Sequence, residues 1–309
     1  SFMSVIDFSP KYIPCDVFKS IKDILKLPLS ELIESDKVKI PESFIDWVKH
    51  LQDELYSSNP GLLIRLSEED KKVLSVEAFR NYTVILGRSL GNLLIQNTEG
   101  DKLVTVYDRD PNRTMAQGAR YHQTHEGGSI HTDNVNIPEP WQFLILSCLQ
   151  PAPVGGENII VNGDTVVELM KENFPEYLKT LESNYWWEKR GVSDELYQAP
   201  IVTYDKDGHA QFRHLRPYME SAHKRADQPM SAMQIKAIDI LDAYLNSSDI
   251  QARFTMKAYD VLLSLDSRTL HGRTCFADPA DSIIFTDWSK NPSAPRRRTM
   301  ERLWVKENV

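Results

Sequence analysis

Three polar groups in the 309-residue chain have the types and order that metal chemistry asks for. His131-Thr132-Asp133 sets an imidazole and a carboxylate two residues apart, and in an extended chain residues i and i+2 point to the same face. Such a pair can grip one ion. His271 follows 140 positions later in Leu270-His271-Gly272-Arg273, after a second apolar, strand-like run. Two histidines and one carboxylate form the facial triad of non-haem Fe(II) oxygenases, which leaves three metal positions for a cosubstrate and O₂. The same donors also suit catalytic Zn²⁺, but the chain has no HExxH helix and the His-x-Asp pair reads as strand. Arg298 and Arg302 stand four apart, leading into another strand. An arginine fork can hold the distal carboxylate of 2-oxoglutarate through two parallel hydrogen bonds, which lysine does less well. With eight histidines and 44 acidic residues, composition alone predicts about one His-x-acid tripeptide by chance, so this one carries meaning only with its surroundings.

Those residues need elements that bring positions 131, 271 and 298 together. The continuous apolar run at 143–149 reads as a buried strand. It ends at Pro151-Ala152-Pro153, and Gly155-Gly156 turns the chain into a second strand at 158–161. Further strands are expected at 103–107, 251–256, 261–265 and 301–305. The N-terminal third reads as helical. Phe44, Trp47, Val48, Leu51 and Leu55 recur at helical spacing, Ser67 precedes a first turn of carboxylates, and a long helix is expected over 74–94. Within it, Gly87 and Gly91 either pack closely or mark breaks. Helix returns after Gly163, where Asp164 is the expected cap. Ser231 to Gln234 forms a capping box ahead of Ile235, Ile238, Leu241 and Leu245, and a hairpin turns at Asp207-Gly208. Strands thus flank a helical insertion at about 164–248, with no linker to cut the chain. The expectation is one domain over 1–309: mainly helical through 1–100, then a β barrel over 101–309 that carries the insertion.

Composition narrows the function classes. Lys plus Arg total 36 against 44 Asp plus Glu, a net charge of −8, which argues against generic nucleic-acid or anionic-membrane binding. No apolar run approaches the ~20 residues of a membrane span. Three cysteines, odd in number and without a CxxC pair, argue against a disulfide framework or a thiolate metal site. The opening residues show no charged-then-apolar signal pattern. A cytoplasmic protein with a small-molecule partner, compatible with a homo-oligomer, is the expectation.

Taken in order, His131-Thr132-Asp133, the run from Leu146 through Pro151-Ala152-Pro153-Val154-Gly155-Gly156-Glu157-Asn158, Leu270-His271-Gly272-Arg273 and Arg298-Thr299-Met300-Glu301-Arg302 resemble the taurine dioxygenase/clavaminate synthase-like Fe(II)/2-oxoglutarate oxygenases. The resemblance covers about residue 100 to the C-terminus. It implies a mainly β fold, the double-stranded β-helix or jelly roll of the cupins, with N-terminal helices and a helical insertion. It implies iron at His131, Asp133 and His271, and 2-oxoglutarate at Arg298. Many relatives place a threonine after the Gly-Gly turn to help hold the cosubstrate; here Asn158 takes that place, and its amide can donate. The 27 residues from His271 to Arg298 exceed the family spacing, so 276–295 is expected to be an extra loop, and Arg297 and Arg302 remain alternative anchors. Arg302, His125 and Glu126 are the expected substrate contacts, with His122 in the same loop. The activity implied is hydroxylation, desaturation or cyclisation at an unactivated C–H of an amino-acid-like molecule or natural-product precursor, with release of succinate and CO₂. Two other readings stay open: a non-catalytic metal- or ligand-binding barrel of the same fold, and a zinc hydrolase.

Overall fold

The computed structural model describes residues 5–109, 127 and 129–308. Its centre is the apolar run of the sequence, the strand Phe143–Gln150, which is flanked antiparallel by Val261–Leu265 and Thr299–Glu307. Period-two alternation sorts the side chains of these strands. Phe143, Ile145, Leu149, Leu263, Leu303 and Val305 face a layer of N-terminal helices, including Glu42–Ser57 and Val76–Leu90. Leu144, Leu146, Cys148, Leu262, Met300 and Trp304 face the other way. A smaller antiparallel sheet lies opposite, in the order Gln251–Phe254, Asn158–Asn162, Thr269–Arg273. Ile160 and Ala252 from this sheet meet Cys148, Leu262 and Met300 in the interior. Its outer residues Ile159, Val161 and Leu270 pack beneath the insertion. Two facing sheets with helices covering both outer faces make the jelly roll that the resemblance implied.

The N-terminal third is less purely helical than its sequence suggests. Gly61–Arg65 is a strand of the large sheet, paired with Val261–Leu265. A five-residue apolar run is too short for periodicity to separate strand from helix, and only the partner strand decides it. The helix expected over 74–94 also ends early. Ser75 caps it, its hydroxyl accepting from the Ala78 N–H at 3.1 Å, and the helix stops at Leu90. Gly91–Leu93 then becomes a strand against Val305–Glu307. Gly87 allows the close packing: an added Cβ would lie 2.9 Å from Leu303 Cδ1. Gly91 makes the break, since a Cβ there would sit 2.1 Å from the Lys306 carbonyl oxygen. Gly91→Ala is therefore expected to destabilise the fold by about 1–3 kcal/mol, read as a lower urea midpoint; an unchanged midpoint would show that the edge pairing yields freely.

The insertion holds hairpins as well as helices. Asn184–Glu188 pairs with Leu196–Pro200, and Val202–Tyr204 with Ala210–Phe212, which turns at the expected Gly208. Tyr185 and Trp187 are buried in its core. Asn162, not Asp164, caps the helix Gly163–Asn173. Asp164 instead accepts from the Ala210 N–H at 2.7 Å and meets His209 Nδ1 at 2.7 Å. The stretch expected as an extra loop is tied down. Phe276–Ala277 pairs with Val154–Gly155, Ile283 bridges to Arg296, and Trp288 is buried with the N-terminal cluster. Among the described residues, no helix is long and apolar enough to cross a membrane.

Candidate metal centre

The site forms where three alternating strands present their inward residues. Leu270 points outward into the insertion core, so His271 and Arg273 point inward. In register, His271 lies opposite Ile160 and Arg273 opposite Asn158. Met300, Arg302 and Trp304 of the closing strand share the inner side with Arg298 just before it, while Glu301 turns outward to a bidentate pair with Arg80. One pocket is lined by His131, Asp133, Asn158, His271, Arg273, Arg298, Met300 and Arg302.

His131 joins this group through the backbone. The His131 N–H donates to the His271 carbonyl at 2.9 Å, and the His271 N–H returns the bond at 2.8 Å. This two-residue bridge sets the two rings side by side, with centroids 4.6 Å apart. Thr132 between the ligands is fully buried and fastened to the insertion: its N–H donates to the His214 carbonyl at 2.8 Å, and its hydroxyl accepts from the His214 N–H at 3.0 Å. Asp133 Oδ1 then lies 3.3 Å from His131 Nε2 and 3.4 Å from His271 Nε2.

The chemistry of these donors fits a divalent ion. Three ligand atoms bonded at roughly 2.0–2.2 Å in mutually perpendicular directions fall about 3 Å apart, close to the spacing observed. The Nδ1 of His131 lies 2.8 Å from the Ser129 carbonyl, and donation there fixes the tautomer that turns the Nε2 lone pair inward. Burial lowers the His271 pKa against the pull of Asp133, favouring the neutral ring that can ligate. Burial alone would raise Asp133, but the Arg302 guanidinium and then His271 outweigh it, holding its carboxyl well below the usual range. The neighbouring buried Asp266 is pushed the other way, by burial and then by the charge of Asp133. Asp266 Oδ1 accepts from the Asp133 N–H at 3.1 Å and so fixes the turn that aims Asp133.

The second oxygen of Asp133 is also held. Trp304 Nε1 donates to Asp133 Oδ2 at 3.1 Å, and Arg302 Nη1 lies 3.7 Å from it. Sequence reasoning passed over Trp304, Asp266 and Arg273. The strand alternation through Arg298 and Arg302 was the signal that reaches Trp304, two residues on. Trp304→Phe keeps an aromatic ring and removes the donor. It is expected to weaken Fe(II) or Co(II) binding about tenfold in a metal titration, whereas unchanged affinity would reduce Trp304 to packing.

The arginines separate cleanly. Arg298 is buried in the pocket, its guanidinium 4.8 Å above the Phe276 ring, and Arg273 lies at the same 4.8 Å distance from that ring. Gly156, at φ +72°, passes so close that a Cβ would be 3.0 Å from Arg298 Nε. Arg297 is spent on backbone, donating to the Asp108 and Ser282 carbonyls at 3.0 Å each. Arg302 donates to Gln96 Oε1 at 2.8 Å as well as approaching Asp133. The Asn158 amide donates to the Phe254 carbonyl over a long 3.4 Å. His122, His125 and Glu126 lie outside the described residues.

The family model described as taurine catabolism dioxygenase TauD, TfdA family matches residues 28–304. FR-33289 synthase of Streptomyces rubellomurinus (strain ATCC 31215) is 23% identical over 226 residues, covering 72% of this chain and 62% of that protein. The chain thus spans less than two thirds of the length of this curated relative. Among solved structures, asparagine oxygenase in complex with Fe(II), 2S,3S-3-hydroxyasparagine and succinate aligns at a TM-score of 0.67 and 13% identity, covering 96% of this chain and 93% of that one. The non-heme iron oxygenase OrfP in complex with Fe and alpha-ketoglutaric acid aligns at 0.65 and 14%, covering 98% and 95%. At these identities the likeness is one of fold.

Proposed function

Since the chain belongs to the taurine catabolism dioxygenase TauD, TfdA family, we propose that it is an Fe(II)- and 2-oxoglutarate-dependent oxygenase acting on a small molecule, with residues 1–309 working as one domain. The observation that carries this reading is the convergence of His131, Asp133 and His271, whose ligand atoms all lie within 4.8 Å of one another, in the pocket that also holds Arg298. Fe(II) and 2-oxoglutarate, when bound, supply the redox chemistry: one atom of O₂ ends in succinate as CO₂ leaves, and the other in the hydroxylated substrate.

The protein's own part is to bind, orient and exclude water. His131, Asp133 and His271 would hold the metal within the pocket. Arg302 keeps Asp133 ionised, and Trp304 and Asp266 keep it aimed. Arg298 offers a planar fork for the distal carboxylate of 2-oxoglutarate, walled by Val106, Leu146 and Met300. The Asn158 amide stands beside it as a second donor. Arg302, His125 and Glu126 are the proposed substrate contacts. The substrate class is amino-acid-like or a natural-product precursor. FR-33289 synthase and the hydroxyasparagine complex of asparagine oxygenase support that class, as does the OrfP complex with (3S)-hydroxy-L-Arg. Free cysteines and a net negative charge support the reading of a cytoplasmic enzyme that binds neither nucleic acid nor membrane.

Anaerobic addition of Fe(II) and then 2-oxoglutarate tests the reading. A visible charge-transfer band is expected, followed by substrate-stimulated succinate release when amino acids and metabolite fractions are screened in air. Absence of the band together with tight Zn²⁺ binding would favour the zinc hydrolase instead. A band without turnover on any fraction would leave a barrel that binds and does not catalyse.

A further inference from the structure

The pocket that gathers the three metal-ligand side chains is walled in part by a thioether. Met300 stands on the inner side of the closing strand, between Arg298 and Arg302, and lines the pocket together with His131, Asp133 and His271. Successive residues on one side of a strand start about 7 Å apart. Met300 is therefore one such step from Arg302, whose Nη1 reaches to 3.7 Å from Asp133 Oδ2. Among the described residues, Met300 carries the only sulfur that lines this pocket. Cys148 and Met256 join it around a smaller cavity instead. Met170 and Met219 belong to the core of the insertion, and Met233 lies at the surface, 43% exposed.

The thioether is also the easiest group on this wall to oxidise. Its sulfur is soft and polarisable and takes up one oxygen atom to give the sulfoxide. Val106 and Leu146, the other apolar side chains of the lining, offer only C–H bonds. Met300 is 3% exposed, so an oxidant in solution reaches it poorly, whereas one generated within the pocket meets it at once.

We propose that Met300 is a self-modification site, accepting the second oxygen atom of O₂ when 2-oxoglutarate is consumed with no substrate in the pocket. This inference rests on the oxygenase reading of the same site. The bond between the carboxylate and keto carbons of 2-oxoglutarate breaks to give CO₂ and succinate, an oxidation by two electrons. The Met300 sulfur gives a lone pair to a new S–O bond, a second oxidation by two electrons. O₂ takes up all four: its bond breaks, one atom ends in succinate and the other on sulfur, and no proton is gained or lost. The product sets a polar group into the apolar wall beside Arg298. A marked chain should then bind 2-oxoglutarate more weakly, which makes turnover without substrate self-limiting.

Peptide mapping by mass spectrometry tests this on the intact chain. After incubation in air with Fe(II) and 2-oxoglutarate but no substrate, Met300 is expected to gain the mass of one oxygen atom. Omitting Fe(II), 2-oxoglutarate or O₂ should each abolish the gain. Hydrogen peroxide added to the metal-free chain should give the opposite order, with Met233 oxidised well before Met300. Reloaded anaerobically, the marked chain should need more 2-oxoglutarate than the unmarked chain to develop its charge-transfer band. Met300→Leu keeps the volume and removes the sulfur, so the same incubation should leave its titration unchanged. Succinate measured in the same incubations separates the two readings. Succinate without a mark at Met300, or with the mark on Trp304, Cys148 or Met256 in its place, would overturn the self-modification and leave the oxygenase standing. A mark that forms equally well without 2-oxoglutarate would also defeat it. Neither succinate nor mark would remove the oxygenase reading and this inference together.

Discussion

His271→Ala is expected to bind Fe(II) at least about 100-fold more weakly than the parent chain and to release no succinate above background. The magnitude follows from position: loss of partners that merely orient a ligand costs 10- to 100-fold, and His271 supplies a ligand atom itself. The fold should survive, because both hydrogen bonds that join positions 131 and 271 are made by the backbone. Anaerobic equilibrium dialysis with Fe(II), beside a melting curve, separates loss of metal from loss of structure. His131→Ala should behave alike. Full metal occupancy with undiminished turnover in either variant would remove that histidine from the site.

The second large effect is expected at Arg298. Arg298→Lys should raise the 2-oxoglutarate concentration needed for half-maximal rate more than tenfold. Lysine keeps the charge and loses the planar fork, and a hydrogen bond to a charged group is worth about 1.5–3 kcal/mol. The neighbouring arginines make the experiment specific. Arg297→Lys should leave the 2-oxoglutarate requirement unchanged, because its guanidinium is engaged by the Asp108 and Ser282 carbonyls. Arg302→Lys should instead disturb metal affinity, through the lost approach to Asp133 and the lost bond to Gln96. A defect in 2-oxoglutarate dependence at Arg302 with none at Arg298 would transfer the anchor to Arg302.

What the sequence determined by itself is the set of faces. Alternation along 143–149 and 301–305 states which side chains share a side of a strand, but it leaves Arg297, Arg298 and Arg302 as alternatives, and only the structure commits Arg297 to the Asp108 and Ser282 carbonyls and lines the pocket with Arg298. The spacing of His131 and Asp133 likewise makes them able to share an ion, and the capping box at Ser231 and Gln234 forms as expected. Each of these is local: a bond or a period within a few residues is written into neighbouring residue types. The sequence does not say which strand lies beside which. That His131 and His271 meet as a bridged pair, that Gly61–Arg65 belongs to the large sheet, and that Arg273 stands opposite Asn158 are matters of register between segments up to two hundred residues apart. The tertiary structure decides them, because ladder hydrogen bonds join backbone groups that every residue carries, and pairing is chosen only when the apolar faces close on one another. The same closure gives Asp133 its tryptophan and its buried neighbour Asp266.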